Sequence, residues 1–227
     1  MEWNQLLSDR RFGKEYVAKS VAERRTEFQR DYDRLIFSAA FRRMQNKTQV
    51  FPLPGSVFVH NRLTHSLEVS SVGRSLGADV AALLQQRDSA TGERTPEALG
   101  AIVSAACLAH DMGNPPFGHS GERAIRSFFA EGQGREWQKM LPEGVWTDIV
   151  NFDGNANAFR LLTHQFNGHR AGGFVMTYAT LAAIVKYPFA SDCCRGKSKF
   201  GFFQSEAADF QRIAHELGLP NCAAPGE

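Results

Sequence analysis

Residues 107–122 read CLAHDMGNPPFGHSGE, and this stretch decides how the surrounding chain folds. The apolar, alanine-rich run that ends at His110 predicts the last turns of a helix, with Gly113 as its C-terminal cap. Two adjacent prolines at 115–116 cannot continue a regular helix, so a tight turn is expected there. A new helix is predicted to begin near His119. The stretch therefore gathers histidines and carboxylates around one constrained turn.

His110 and Asp111 stand where the first of these helices ends. Neighbouring residues in the middle of an α-helix point about 100° apart and cannot easily share an ion. At a helix terminus the backbone leaves the helical path, so both side chains can converge. An imidazole with a carboxylate suits a borderline or hard divalent cation. The alternative is that this pair only caps the helix.

His65, within the run RLTHSLEV at 62–69, is a third candidate ligand. It lies one turn into a predicted amphipathic helix and between two leucines, so it could face the core. Taken alone, a satisfied core histidine is the better interpretation. Together with His110 and Asp111 it makes a metal site of three protein ligands, which a further carboxylate and waters would normally complete.

His119 and Glu122 are spaced at i and i+3, which places them on one face of a helix. A carboxylate that binds one ring nitrogen fixes the tautomer and raises the basicity of the other nitrogen. That arrangement is typical of a general acid/base pair. The alternative is a surface pair with little energetic weight, which the nearby turn and His110 make less attractive.

Polyphosphate binding needs cations from several segments. Candidates lie in three places, although any one of them could be an ordinary surface charge: Arg42, Arg43 and Lys47; Lys186 beside Tyr187; and Lys197 and Lys199.

Apolar periodicity predicts an all-α chain with no sheet. Helices are expected at about 15–45, 62–86, 97–111, 119–130, 155–167, 177–186 and 206–217, with 131–148 irregular and 188–204 a loop or short hairpin. In the second helix an apolar stripe is expected to face the core: Leu63, Leu67, Val72, Leu76, Val80 and Leu83. Small residues in the third helix, such as Ala105 and Ala109, predict close packing.

Composition excludes several classes of protein. The chain of 227 residues is 43% hydrophobic and 22% charged, which is ordinary for a globular protein and argues against disorder. Its net charge of +2 is unevenly distributed along the chain, because residues 1–50 carry 11 basic and 7 acidic residues. This excess of positive charge could favour an anionic partner or merely belong to a solvated helix face. Four cysteines without a C-x-x-C motif, no signal-peptide run and no long apolar stretch predict a cytoplasmic protein without a membrane segment.

Several stretches together resemble the dGTP triphosphohydrolase family of HD-domain, metal-dependent phosphohydrolases. The matching blocks are RRMQNKTQVF at 42–51, RLTHSLEV at 62–69, CLAHDMGNPPFGHSGE at 107–122, and FDGNA at 152–156, where the family has Glu in place of Asp153. They follow the family's order over about residues 30–220, and the block at 107–122 is highly specific.

The resemblance implies an all-helical HD fold and hydrolysis of a deoxynucleoside triphosphate to the deoxynucleoside and inorganic triphosphate. The implied site consists of metal ligands His65, His110 and Asp111, an acid/base dyad of His119 and Glu122, and substrate contacts at Gln49, Asn155, Lys186, Tyr187 and Lys199, with Arg42 a weaker candidate. The implied cofactor is a divalent ion such as Mg²⁺, Mn²⁺ or Co²⁺. Relatives form homo-oligomers, including hexamers, and some bind single-stranded DNA.

The resemblance also predicts that this chain is the N-terminal portion of an HD domain, with a basic helical segment at 1–50 and the core at 51–227. The family's fourth metal ligand is expected on a helix beyond Glu227. Asp209, in a superficially similar Glu-Ala-Ala-Asp run, is not assigned that role. Two alternatives stay open: an HD phosphohydrolase with another nucleotide substrate, and a non-catalytic module that binds nucleotide or DNA.

Overall fold

A computed structural model describes residues 2–14, 25–47, 60–87, 95–166, 171–193 and 199–220, with the side chains of 95–97 excepted. Within these ranges the chain is all-α, as predicted, and its extended contacts are the isolated bridges of Arg11 with Thr177 and Ala190 with Phe202. The helices are α1 (Trp3–Leu6), α2 (Glu27–Ile36), α3 (Ala39–Arg42), α4 (Arg62–Arg87), α5 (Thr95–Ala109), α6 (His119–Ala130), α7 (Glu143–Val150), α8 (Gly154–Thr163), α9 (Tyr178–Ile184) and α10 (Ala207–Glu216). None of the described helices is both long and apolar enough to cross a membrane.

The predicted helix boundaries are close to the observed ones at α4 and α6. Two predictions were wrong. The segment 131–148 is not irregular, because it contains a 3₁₀ helix at Gln133–Lys139 and then α7. The single helix predicted over 15–45 is interrupted after Ile36, where Ser38 starts α3 by accepting a hydrogen bond from the Phe41 N–H.

Helix α4 packs on α5 through its small residues and not through its apolar stripe. The buried positions of α4 are Arg62, Ser66, Ser70, Gly73, Gly77 and Ala81. A Cβ atom on Gly77 would lie 3.0 Å from the Leu99 carbonyl oxygen, so the two backbones are almost in contact. Val72, Leu76 and Leu83, which the sequence analysis expected in the core, are 60%, 58% and 55% exposed. The close approach of the two helices admits only small side chains between them, so the prediction was wrong for most of the stripe. Leu63, at the start of α4, is partly buried against the main core.

The main core lies on the other side of α5, against α2 and α9. Leu108 and Met112 are buried there together with Phe159 and Leu162 of α8 and Leu181 of α9. The end of α5 is thus held by packing from several helices, and the residues that follow it have a rigid base.

A buried ionic network fastens the N-terminal segment to α2 and α9. Asp31 is fully buried, and its carboxylate accepts hydrogen bonds from Arg11 Nη1 at 2.8 Å and from the Thr177 backbone N–H at 3.0 Å and hydroxyl at 2.6 Å. Thr177 in turn caps α9 through the Thr180 N–H. Arg11 also donates to the Val175 carbonyl oxygen.

Asp31→Ala is expected to lower the free energy of unfolding by about 3 kcal/mol, because the buried Arg11 guanidinium keeps Glu27 but loses Asp31, and the Thr177 N–H and hydroxyl lose their acceptor. Urea unfolding followed by circular dichroism measures the change. Asp33→Ala is the matched control on the same helix, since Asp33 pairs with Arg25 at the exposed surface and should cost less than about 1 kcal/mol. Equal losses in the two variants would contradict the role given to the buried network.

Candidate functional site

One cavity of about 750 Å³ collects most of the candidate site residues from separate helices. Its lining residues are Arg62, His65, His110, Asp111, Asn114, Phe117, Gly118, His119, Ser120, Asn155, Lys186, Tyr187 and Lys199. The residues come from the start of α4, the turn after α5, the start of α6 and α8, and the loops after α9. A cavity of this size can take a nucleotide.

His65, His110 and Asp111 form a group that could hold a metal ion. One ligand atom from each lies within 4.8 Å of the others, and the Nε2 atom of His110 is 3.4 Å from Oδ1 of Asp111. Helix α5 ends at Ala109, so His110 and Asp111 follow its last residue, where their side chains converge as the sequence predicted. This donor set of two imidazoles and a carboxylate fits a divalent cation.

The protonation state of His110 also suits a metal ligand. Its Nδ1 atom lies 2.6 Å from the Cys107 carbonyl oxygen, so Nδ1 carries the proton and donates it. Burial lowers the pKa of His110 below its ordinary value, against an opposing effect of the Asp111 charge. The lowered pKa favours the neutral imidazole, and its Nε2 atom, the one nearer Asp111, is then free to bind a metal ion.

Asp111 is held in place by two residues that the sequence analysis did not single out. Arg62 Nη1 donates to Oδ2 at 2.7 Å, and Asn114 Nδ2 donates to Oδ1 at 2.6 Å. Gly118 makes room for this arginine, because a Cβ atom there would lie 2.5 Å from Arg62 Nη2. Both residues belong to the quoted blocks, but only the fold shows which atoms they contact.

Lys47 fastens the turn that carries the candidate ligands. Its ammonium donates to the Asn114 carbonyl oxygen at 2.7 Å and lies 3.5 Å from that of Met112. Partial burial and the nearby Arg62 charge lower the pKa of Lys47. Lys47 therefore binds backbone carbonyl oxygens of this turn, whereas the sequence had suggested it as a phosphate contact.

Gly113 has a packing role instead of the capping role predicted for it. A Cβ atom at this position would lie 2.1 Å from the Gly154 carbonyl oxygen and 2.2 Å from the Ala158 nitrogen. Only glycine allows α8 to approach the turn this closely. The contact brings Asn155, on the first turn of α8, to the cavity.

His119 and Glu122 form the predicted pair on the first turn of α6. Nδ1 of His119 is 2.8 Å from Oε2 of Glu122, and the two side chains are 74% and 3% exposed. Glu122 also accepts the Gly154 N–H at 2.9 Å and has Lys199 Nζ at 3.4 Å. Burial alone would raise the pKa of Glu122, but these hydrogen bonds and the Lys199 charge together lower it. The charged Glu122 thereby orients His119, whose Nε2 stays available for proton transfer.

The structure brings Lys186, Tyr187, Lys199 and Asn155 to the same cavity. Lys199 lies 3.2 Å from Oδ2 of Asp153, the residue where the family has Glu. Arg42 is not brought there: it is exposed and absent from the cavity lining, because its neighbours Phe41 and Met44 occupy the core side of this segment. Gln49 lies outside the described residues.

The lowered pKa of Glu122 predicts a pH dependence of stability. A carboxyl group whose folded pKa is below its ordinary value of about 4.3 stabilises the protein above that value, and the contribution is lost as the pH falls through the folded pKa. Glu122→Gln should therefore flatten the decline in unfolding free energy between about pH 6 and pH 3. Urea titrations of both proteins across that range test this, and parallel pH curves would contradict it.

Comparisons with known proteins relate the chain to HD-domain proteins. A model of the HD domain family matches residues 62–148. A "deoxyguanosinetriphosphate triphosphohydrolase-like protein" of Pseudomonas aeruginosa is 46% identical over 97% of this chain and 50% of its own length, and one of Synechocystis sp. is 46% identical over 96% and 52%. A "deoxyguanosinetriphosphate triphosphohydrolase" of Serratia proteamaculans is 33% identical over 96% and 49%. The chain thus spans about half the length of the curated relatives it matches.

Proposed function

Because this chain belongs to the dGTPase-like family of HD-domain proteins, we propose that it hydrolyses deoxynucleoside triphosphates, dGTP among them, to the deoxynucleoside and inorganic triphosphate. The observation that carries the proposal is the shared cavity. Its lining includes a three-residue metal-binding group, two lysines from different segments, and His119, which is hydrogen-bonded to the buried Glu122. A non-catalytic nucleotide-binding module would need the cations but not an oriented acid/base pair.

In the proposed reaction, water attacks the α-phosphorus and the bond from that phosphorus to the 5′ oxygen breaks. His65, His110 and Asp111 would hold a divalent ion, which would lower the pKa of bound water and neutralise charge on the phosphoryl oxygens. Mg²⁺, Mn²⁺ and Co²⁺ all suit this donor set.

The remaining residues of the cavity have separate tasks in this proposal. His119, held by Glu122, moves a proton between its Nε2 and the reacting oxygens. Lys186 and Lys199 balance the charge of the triphosphate, and Asn155 and Tyr187 contact the substrate. Assembly into homo-oligomers and binding of single-stranded DNA are further expectations from the family, and a cytoplasmic location is an expectation from the cysteine content.

The test is an ion-chromatographic assay for inorganic triphosphate with each of the four dNTPs and Mn²⁺. The full-length Pseudomonas aeruginosa relative serves as the reference protein, and a metal-chelated sample serves as the blank. The assay is run on this chain and on one extended beyond Glu227, where the fourth metal ligand is expected. Triphosphate formed by the extended chain, and lost on chelation, is the expected result. Orthophosphate or pyrophosphate as the product would show that a different bond of the dNTP is cleaved and would overturn the proposed reaction, and binding without any product would favour the binding module.

A further inference from the structure

Phe117 occupies a backbone position that phenylalanine ordinarily avoids. The Gly118 N–H donates to the Pro115 carbonyl oxygen at 3.1 Å and closes a four-residue turn with Pro116 second and Phe117 third. The φ angle of Phe117 is +65°. A turn with proline at the second position and a positive φ at the third has the type II pattern, in which the third residue is normally Gly or Asn. A bulky side chain there costs conformational free energy, and such outliers concentrate at functional sites.

The strained backbone does not serve to bury the ring. The Phe117 side chain is 70% exposed, although it is large and apolar, and it lines the cavity that holds the candidate metal ligands. Most other lining side chains within the described part of the chain are charged or polar, and the second aromatic ring among them belongs to Tyr187. Exposure of a single ring is ordinary, but Phe117 combines it with a disfavoured backbone conformation and a place in the cavity lining, and folding alone gains nothing from that combination.

We infer that the Phe117 ring is the wall of the cavity against which the nucleoside part of the substrate packs. The inference rests on the proposed function. In that proposal the phosphates contact the cationic and metal-binding side chains. The sugar and base then need an apolar surface of the cavity to pack against. His119, two residues further along the chain, is proposed to act at the bond between the α-phosphate and the 5′ oxygen. The sugar is joined to that oxygen, and the Phe117 ring lines the same cavity as His119, so the nucleoside is the part of the substrate assigned to the ring.

Equilibrium binding separates the nucleoside contact from the phosphate contacts. The two ligands are inorganic triphosphate and a dGTP analogue whose 5′ oxygen is replaced by carbon, so that the scissile bond cannot break. Calorimetric titrations in the presence of Mn²⁺ compare the wild type with Phe117→Gly and Phe117→Tyr. Phe37→Gly is the matched control, because Phe37 is also 70% exposed but does not line the cavity.

Phe117→Gly should weaken binding of the analogue roughly tenfold and leave triphosphate binding unchanged, since a stacked aromatic contact has about this effect. Phe117→Tyr keeps the ring and should bind as the wild type does, and so should Phe37→Gly. Equal weakening for both ligands, or none for the analogue, would overturn the inference. So would a wild-type chain that binds the analogue no more tightly than triphosphate.

Thermal unfolding tests the strain independently of any ligand. Phe117→Gly removes both the ring and the strain, whereas Phe117→Ala removes the ring alone, because alanine also disfavours a positive φ. Phe117→Gly is therefore expected to have the higher Tm of the two, and a lower Tm would contradict the strained position. If the wild type binds the analogue tightly but forms no triphosphate from dNTPs, the proposed function fails while the binding comparison still decides the role of Phe117.

Discussion

His119→Ala is expected to lower triphosphate formation by roughly 10²–10⁴-fold, the usual contribution of a positioned general acid or base. His119 supplies the exposed nitrogen of the pair, whereas Glu122 is buried and anchored by the Gly154 N–H. Removing the imidazole leaves His65, His110 and Asp111 untouched, so bound metal should be unchanged. The measurements are turnover by ion chromatography and metal content by mass spectrometry on the same preparations.

The control for this variant is His60→Ala. His60 also faces a glutamate, with Nδ1 3.8 Å from Oε2 of Glu68, but both side chains are more than half exposed and His60 does not line the cavity. That variant should keep wild-type turnover. Loss of metal from His119→Ala would refute the proposed division between metal binding and proton transfer. Undiminished turnover in His119→Ala would show that this histidine takes no part in the reaction.

Asp111→Ala is expected to abolish both metal binding and turnover. Asp111 supplies the carboxylate among the three candidate ligands, and without it two imidazoles remain for a hard cation. The variant has a second cost, because Arg62 is 8% exposed and loses its carboxylate partner. Its stability should therefore fall as well, and the loss of metal has to be separated from unfolding.

The Asp111→Asn variant separates the loss of metal binding from the loss of stability. The amide keeps the shape of the side chain and an oxygen for Arg62, so stability should be closer to that of the wild type while metal affinity still falls. Asp209→Asn is the control, since Asp209 is partly exposed, lies outside the cavity lining and should not affect metal content. Full metal occupancy in a folded Asp111→Asn protein would count against the ligand assignment.

Much of the site was predictable because its spacing is local. The i, i+3 relation of His119 and Glu122 lies within one helical turn, and the two prolines before it force α6 to begin where it does. His110 and Asp111 converge for an equally local reason, since α5 ends at Ala109. These features depend on residues within one or two turns of each other, which a linear sequence displays directly.

The partners of these residues were not predictable in the same way. The burial of Glu122 comes from Gly154 and Lys199, 32 and 77 positions further along the chain. Arg62 reaches Asp111 across 49 positions. Such contacts arise only when α4, α6 and α8 pack around the end of α5. The apolar periodicity of a single segment does not predict them.

The sequence by itself determined the all-α class, the start of α6 and the candidate residues for metal binding and proton transfer, because helix periodicity, caps and residue chemistry are properties of short stretches. Only the tertiary structure decided which face of α4 turns inward. Apolar periodicity favoured Val72, Leu76 and Leu83, but the near contact of Gly77 with the α5 backbone put the small residues inside. A helix buries the face that fits its neighbour, and the shape of that neighbour is fixed elsewhere in the chain.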